Sequence, residues 1–256
     1  YGYDNFDVNT AVSPLYPVRP QTEKTVEERI KDILVKRYSM HELHSYVWAY
    51  HDEYKALGMD VEKNVELINA ANPNIKTLRR SIVPTQLCQV KYNTSYASDF
   101  SVFEIGRVVN GFNDNGLCNE SKKLAVTLYS KTKSTEEIYF ELKDILSVLA
   151  DDIKHNTLTF EKKENTHSYQ HPKNLYTVIC DGMILGEIGI VNSAVSKKID
   201  KKANIVYAEI DTDAFAAVTD LGISYVEPTK FPEIEIDLSF VSDKFAPIAE
   251  KIAEQN

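Results

Sequence analysis

The side chains that could do chemistry are few, and most fail on spacing. His41 and His44 stand three residues apart with His51 following, but no cysteine or further histidine completes a known zinc pattern. Solvated or partly buried imidazoles are the plainer reading, and the same holds for His167 and His171 in a polar stretch. Gly182, Gly186 and Gly189 miss the dinucleotide fingerprint and fall within a hairpin, and no glycine-rich run has the Walker spacing. Nucleotide binding of the P-loop or Rossmann kind is therefore excluded. A serine or cysteine nucleophile needs a base and an orienting acid, and no nucleophile elbow is present. Lys197, Lys198, Lys201 and Lys202 crowd one turn, which reads first as a solvated helix end and second as a phosphate contact. Arg79, Arg80, Glu104 and Arg107 complete the inventory, as structural ion pairs or interface residues.

The elements that must hold these groups can be read from periodicity. Pro14, Pro17 and Pro20 keep residues 1–20 extended. Thr25 to Glu28 fits a capping box, and Val26, Ile30, Ile33 and Leu34 then form an apolar stripe at helical spacing. Residues 43–49 read as a strand, 51–57 as a short helix that Gly58 ends, and 65–68 as a strand before an Asn72-Pro73 turn. Pro84 opens a helix to about Lys91. Strands follow at 100–109 and 124–129, separated by a loop that Asn110-Gly111 and Asn115-Gly116 mark.

Ile138, Leu142, Ile145, Leu146, Leu149 and Ile153 define one face of a long helix. Strands are expected at 157–162, 176–180, 183–191 and 205–210, with Asp181-Gly182 as a tight hairpin turn. Short helices are expected around Val195 and from Asp213 to Val218. The order is neither a βαβ alternation nor a repeat. It predicts an α+β fold, a largely antiparallel sheet with helices packed on one side. After Pro228, alternating Ile234, Ile236, Leu238 and Phe240 and a helix from Pro247 to Glu254 read as the opening of a second domain.

Composition bounds the rest. The 256 residues, 43% of them hydrophobic, suffice for one large core or two modest ones, and no apolar run approaches the length of a membrane span. Three widely spaced cysteines, Cys88, Cys118 and Cys180, point to reduced thiols and a cytoplasmic protein. The net charge of −9 argues against a dedicated nucleic-acid-binding module, although it leaves room for a local basic patch. The opening Tyr1-Gly2-Tyr3, without methionine, reads as a cut inside a longer chain.

Several stretches, in order, resemble the bacterial phenylalanyl-tRNA synthetase beta chain. They are Tyr1-Gly2-Tyr3-Asp4-Asn5; Asn72-Pro73 followed by Leu78-Arg79-Arg80-Ser81-Ile82-Val83-Pro84; and Phe103-Glu104-Ile105-Gly106-Arg107-Val108. His171-Pro172, Leu185-Gly186-Glu187-Ile188-Gly189 and Phe231-Pro232 with Asp237-Leu238 continue the series. Lys173-Asn174 stands where the family favours Gly-Arg, and Ile234 to Asp237 lacks the family's arginine before the aspartate.

The resemblance implies a class II synthetase-like antiparallel sheet flanked by helices and a module that is itself non-catalytic. It further implies residues 1–20 as a lead-in from a preceding domain, 21–228 as the catalytic-like module and 229–256 as the truncated start of a ferredoxin-like anticodon-binding domain. The partner so implied is the alpha chain, which would bind ATP, magnesium and phenylalanine and charge tRNA(Phe) in an assembly of two alpha and two beta chains. No cofactor and no metal is expected in this stretch. The region Tyr207 to Asp211, leading into the Asp213 helix, carries no arginine or glycine, so the cation of a class II phosphate motif is missing there. Proofreading is expected to lie outside this stretch.

Val26, Ile30, Ile33, Leu34, Arg79, Phe103, Glu104 and Arg107 are thus the interface or structural candidates. A homodimer of the isolated chain through the same apolar face is a further expectation. Two rival readings remain: a small-molecule enzyme on the same fold, using Arg79, Glu104 and His171, and an RNA-binding module using the Lys197–Lys202 turn.

Overall fold

The structure, a computed structural model, describes residues 2–5, 12–60, 63–225 and 227. The chain divides into two compact units, Tyr1–Gly222 and Ile223–Asn256. In the second, the described residues form no helix or strand, and the elements expected after Pro228 lie outside the described residues.

The first unit is built on one seven-stranded sheet in the order β1-β2-β3-β7-β6-β5-β4. The strands are β1 (His41–Glu42), β2 (Asp99–Phe112), β3 (Cys118–Ser130), β4 (Leu158–Lys162), β5 (Gln170–Cys180), β6 (Met183–Val191) and β7 (Asn204–Asp211). Every pairing is antiparallel except the short β1–β2 edge. Asp181 and Gly182, both at positive φ (50° and 71°), close the β5–β6 hairpin as their types require. Among the described residues the α-helices are α1 (Thr22–Lys36), α2 (His51–Leu57), α3 (Val83–Asn93), α4 (Thr135–Lys154), α5 (Ser193–Ile199) and α6 (Thr212–Ala217), after a short 3-10 turn at Tyr3–Asn5.

These helices cover both faces of the sheet, where the sequence predicted one. Val26, Ile30 and Leu34 of α1, the apolar face of α4 and Phe215 of α6 pack with Phe103, Leu124, Val126 and Val206 on one face. Tyr54 and Leu57 of α2, Leu87 of α3 and Val195 of α5 pack with Val102, Ala125, Tyr129 and Tyr207 on the other. The cause is visible in the central strands: Leu124 to Ser130 and Ile205 to Ile210 are buried without alternation, which requires cover on both sides.

Three local expectations are corrected. Helix α1 begins at Thr22, three residues before the predicted cap, and Thr25 bonds its hydroxyl to Gln21 O (3.2 Å) inside the first turn instead of capping. The helix with the capping box is α4, where Ser134 and Glu137 bond reciprocally. Residues 43–49 are not a strand. After two residues beside β2 the chain leaves the sheet edge, and Ala49 N bonds Thr77 O (2.9 Å) while Arg79 N bonds Val47 O (2.8 Å). This departure carries Ser45 toward Arg79. Residues 65–68 likewise contribute only one bridge, Glu66 to Thr77.

Candidate functional site

The polar groups gather on the sheet face covered by α2, α3 and α5. Arg79 precedes α3, and Glu104 projects from β2 to meet it. Nη2 of Arg79 donates to Glu104 Oε1 (2.7 Å) and Nη1 to Ser45 Oγ (2.6 Å), while Ser45 donates to Glu104 Oε2 (2.7 Å). Both charged side chains are almost wholly buried, at 2% exposure. Arg79 Nε adds a bond to Arg107 O (3.1 Å), so all faces of the guanidinium are engaged. Gly106 keeps this pair possible: a Cβ there would land on Arg79 Nη2 and within 2.9 Å of Glu104 Oε1.

Beside this pair lies a cavity of about 250 Å³ lined by, among others, His51, Ser81, Lys123, Lys163, Glu187 and Glu209. Glu209 Oε1 accepts from Ser81 Oγ (2.9 Å) and Ile82 N (2.7 Å), and its Oε2 faces Lys123 Nζ (2.8 Å). It thereby caps the approach to α3, whose first turn has no side-chain cap of its own. Glu187 Oε2 faces Lys163 Nζ (2.6 Å), and Oε1 accepts from Gln170 Nε2 (2.7 Å) and Tyr207 Oη (2.9 Å). Burial would raise the Glu187 carboxyl, but the Lys163 ammonium and the two neutral donors hold it below its ordinary range. Burial pushes the Tyr207 phenol well up, so it stays a hydrogen-bond donor. It also pushes the His51 imidazole below its ordinary value.

In this region Arg79, Lys123 and Lys163 each face a carboxylate of the same chain. A phosphate entering here would have to displace an internal partner from each. The arrangement orders and neutralises a buried polar face.

The residues singled out from sequence separate into three groups. Val26, Ile30 and Leu34 are 5%, 1% and 0% exposed inside the chain's own core, with Ile33 packed at its margin and Phe103 beneath them. That stripe faces inward, so an aspartate at Ile30 would report on folding, not association. Arg79 and Glu104 come together as described. Arg107 projects to the opposite side and pairs at the surface with Glu120 (2.6 Å). His171 does not join Arg79 and Glu104, as the rival enzyme reading required: it lines a separate cavity with Lys197, Lys201 and Lys202. Among the described residues, no three His, Cys, Asp or Glu side chains converge as metal ligands would.

Glu187, Glu209, Lys123 and Lys163 were missed. The two acids did leave a signal, as lone charges inside the apolar strands Met183–Val191 and Asn204–Asp211, where an unpaired carboxylate would be costly.

Sheet, helix layers and self-paired polar face define an α+β domain of the class expected from the sequence. The chain belongs to the family described as the phenylalanyl tRNA synthetase beta chain CLM domain, whose sequence model matches residues 9–212. Similar curated proteins are the phenylalanine–tRNA ligase beta subunits of Syntrophus aciditrophicus (strain SB), 25% identical over 95% of this chain and 32% of the relative, and of Leptospira borgpetersenii serovar Hardjo-bovis (strain L550), 25% identical over 94% and 30%. That of Bacillus subtilis (strain 168) is 27% identical over 75% of this chain and 25% of its own length. This chain thus spans less than a third of the length of these relatives.

Proposed function

We propose that this chain is a structural and interaction module of a phenylalanyl-tRNA synthetase beta chain. In this reading it pairs with a catalytic alpha chain that uses ATP and magnesium to charge tRNA(Phe) with phenylalanine in the cytoplasm. The family match carries the assignment to a beta chain. The non-catalytic role is supported by one structural observation: Arg79, Lys123 and Lys163, on the polar face of the sheet, each face a carboxylate of the same chain. Class II adenylate chemistry needs cations available to the ATP phosphates as charge develops on the leaving group. Here that charge is already spent on folding, which suits a module whose task is to hold a shape.

The reading is tested by co-purifying the chain with a bacterial phenylalanyl-tRNA synthetase alpha chain, followed by light scattering and an adenylate-formation assay. A complex whose activity requires the alpha chain is expected. No complex, or ATP-dependent activity from this chain alone, would replace it with an independent enzyme on the same fold. No helix among the described residues is long and apolar enough to cross a membrane.

A further inference from the structure

The second cavity is unlike the first. It encloses about 630 Å³ at the end of the sheet where β6 runs into α5 and β7 begins, bordered by the start of α4. Lys197, Lys201 and Lys202 line it, all three residues are exposed, and none forms an ion pair with another described residue. The aspartate within their turn does not neutralise them. Asp200 Oδ2 is taken by Lys131 Nζ (3.0 Å) and Tyr129 Oη (2.9 Å), and Oδ1 by the Lys202 amide (2.9 Å). Glu136 is the acidic residue in the lining. Three lysines therefore border one hollow in a protein of net charge −9, a local basic patch set against the overall charge.

Two further features give the hollow a chemical character. His171 Nδ1 accepts from the backbone amides of Lys173 and Asn174 (both 3.1 Å), which fixes the ring and leaves Nε2–H as a donor. Tyr139 and Tyr176, with ring centroids 6.1 Å apart, form an aromatic wall. Burial raises the Tyr139 phenol to about 12, so that ring stays neutral beside the lysines. Ammonium groups opposite an aromatic surface are the pairing that nucleotides need: charge for phosphate and a ring for the base.

We propose that this cavity binds a nucleotide unit, with its phosphate on Lys197, Lys201 and Lys202 and its base against Tyr139. The unit is either free or part of an RNA strand. The proposal does not depend on pairing with an alpha chain, because all the groups it uses belong to this chain.

The test measures binding of the full chain to a labelled single-stranded RNA of about ten nucleotides, by fluorescence anisotropy, from about 50 to 200 mM salt. AMP serves as competitor. The variant Lys197→Ala/Lys201→Ala/Lys202→Ala is compared with Lys24→Ala/Lys36→Ala/Lys76→Ala, which removes the same charge from surface pairs elsewhere. Expected are a loss of roughly tenfold or more for the cavity variant and a fall of about 0.7 in the salt slope, as the loss of one neutralised phosphate requires. The control should stay within about twofold. Tyr139→Phe should bind as the parent does, and Tyr139→Leu more weakly, with circular dichroism confirming that both are folded. Competition by AMP assigns the site to a single unit, and its failure, with the lysine dependence intact, assigns it to a strand. Equal losses in the two triple variants, no loss in the cavity variant, or no binding of either probe would overturn the proposal.

Discussion

The two polar regions of this molecule use charge in opposite ways. Around Arg79, Glu187 and Glu209, cations and carboxylates occur in matched pairs, mostly out of water. Around Lys197, Lys201 and Lys202, cations stand together at the surface while their nearest acid, Asp200, bonds elsewhere. In the first region the charges serve the fold, since removing one partner strands another in a low-dielectric interior. In the second they contribute little to the fold and remain available. A charged residue's relation to its own chain is thus a better guide to its role than its presence in a cavity.

Breaking the first region should have the largest effect. Glu104→Ala leaves the Arg79 guanidinium buried with only neutral partners, and a loss of about 3–5 kcal/mol is expected in urea unfolding. The double variant Arg79→Met/Glu104→Leu should recover most of it, because no charge is then stranded; a double variant as unstable as the single would show that shape, not charge, governs the site.

A smaller effect should appear with pH. The folded state holds Glu187 below its ordinary value of 4.5, so its contribution to stability is present above that value and is lost as pH falls through the lowered one. Glu187→Gln should therefore flatten the acid limb of stability below about pH 4.5, measured by thermal unfolding across pH. An unchanged limb would mean that Lys163 does not hold the carboxylate ionised. The smallest effect belongs to the second region: replacing Lys197, Lys201 and Lys202 by alanine should leave the unfolding midpoint where it is. A marked drop would dissolve the contrast between the two regions.

Much of this was legible in the sequence, for reasons that can be located. Helix α4 announced itself because its apolar residues recur at helical spacing over twenty positions, and the β5–β6 hairpin because Asp181-Gly182 tolerates the positive φ its turn requires. The extended stretch 43–49 was misread because strand composition does not say whether a neighbouring strand is there to pair with. The second layer of helices was missed although Leu124–Ser130 and Ile205–Ile210, buried on both faces, implied it. For the site, Arg79 and Glu104 were named, but their union depends on β2 and the loop before α3 meeting across 25 residues, which spacing alone does not reveal. Lys163 follows β4 and Glu187 lies on β6, with β5 between them in chain and sheet, so spacing alone does not reveal their pairing either.

The order of the strands also fixes a sequence of events in time. Two sheet pairings join elements far apart along the chain: the short β1–β2 edge, where His41 lies opposite Val102, and the long β3–β7 seam, where Ser130 lies opposite Asn204. As the polypeptide leaves the ribosome, β2 and β3 can close their hairpin at once, but the far edge of β3 must wait for about seventy more residues. At roughly 5–20 residues per second that wait lasts several seconds. Throughout it, β3, whose segment Leu124–Ser130 is buried in the folded protein, presents an open row of amides and carbonyls to solvent. A ribosome stalled between Ser130 and Asn204 would hold out a template for strand addition, and nascent chains of that length are the ones expected to recruit a chaperone or to aggregate.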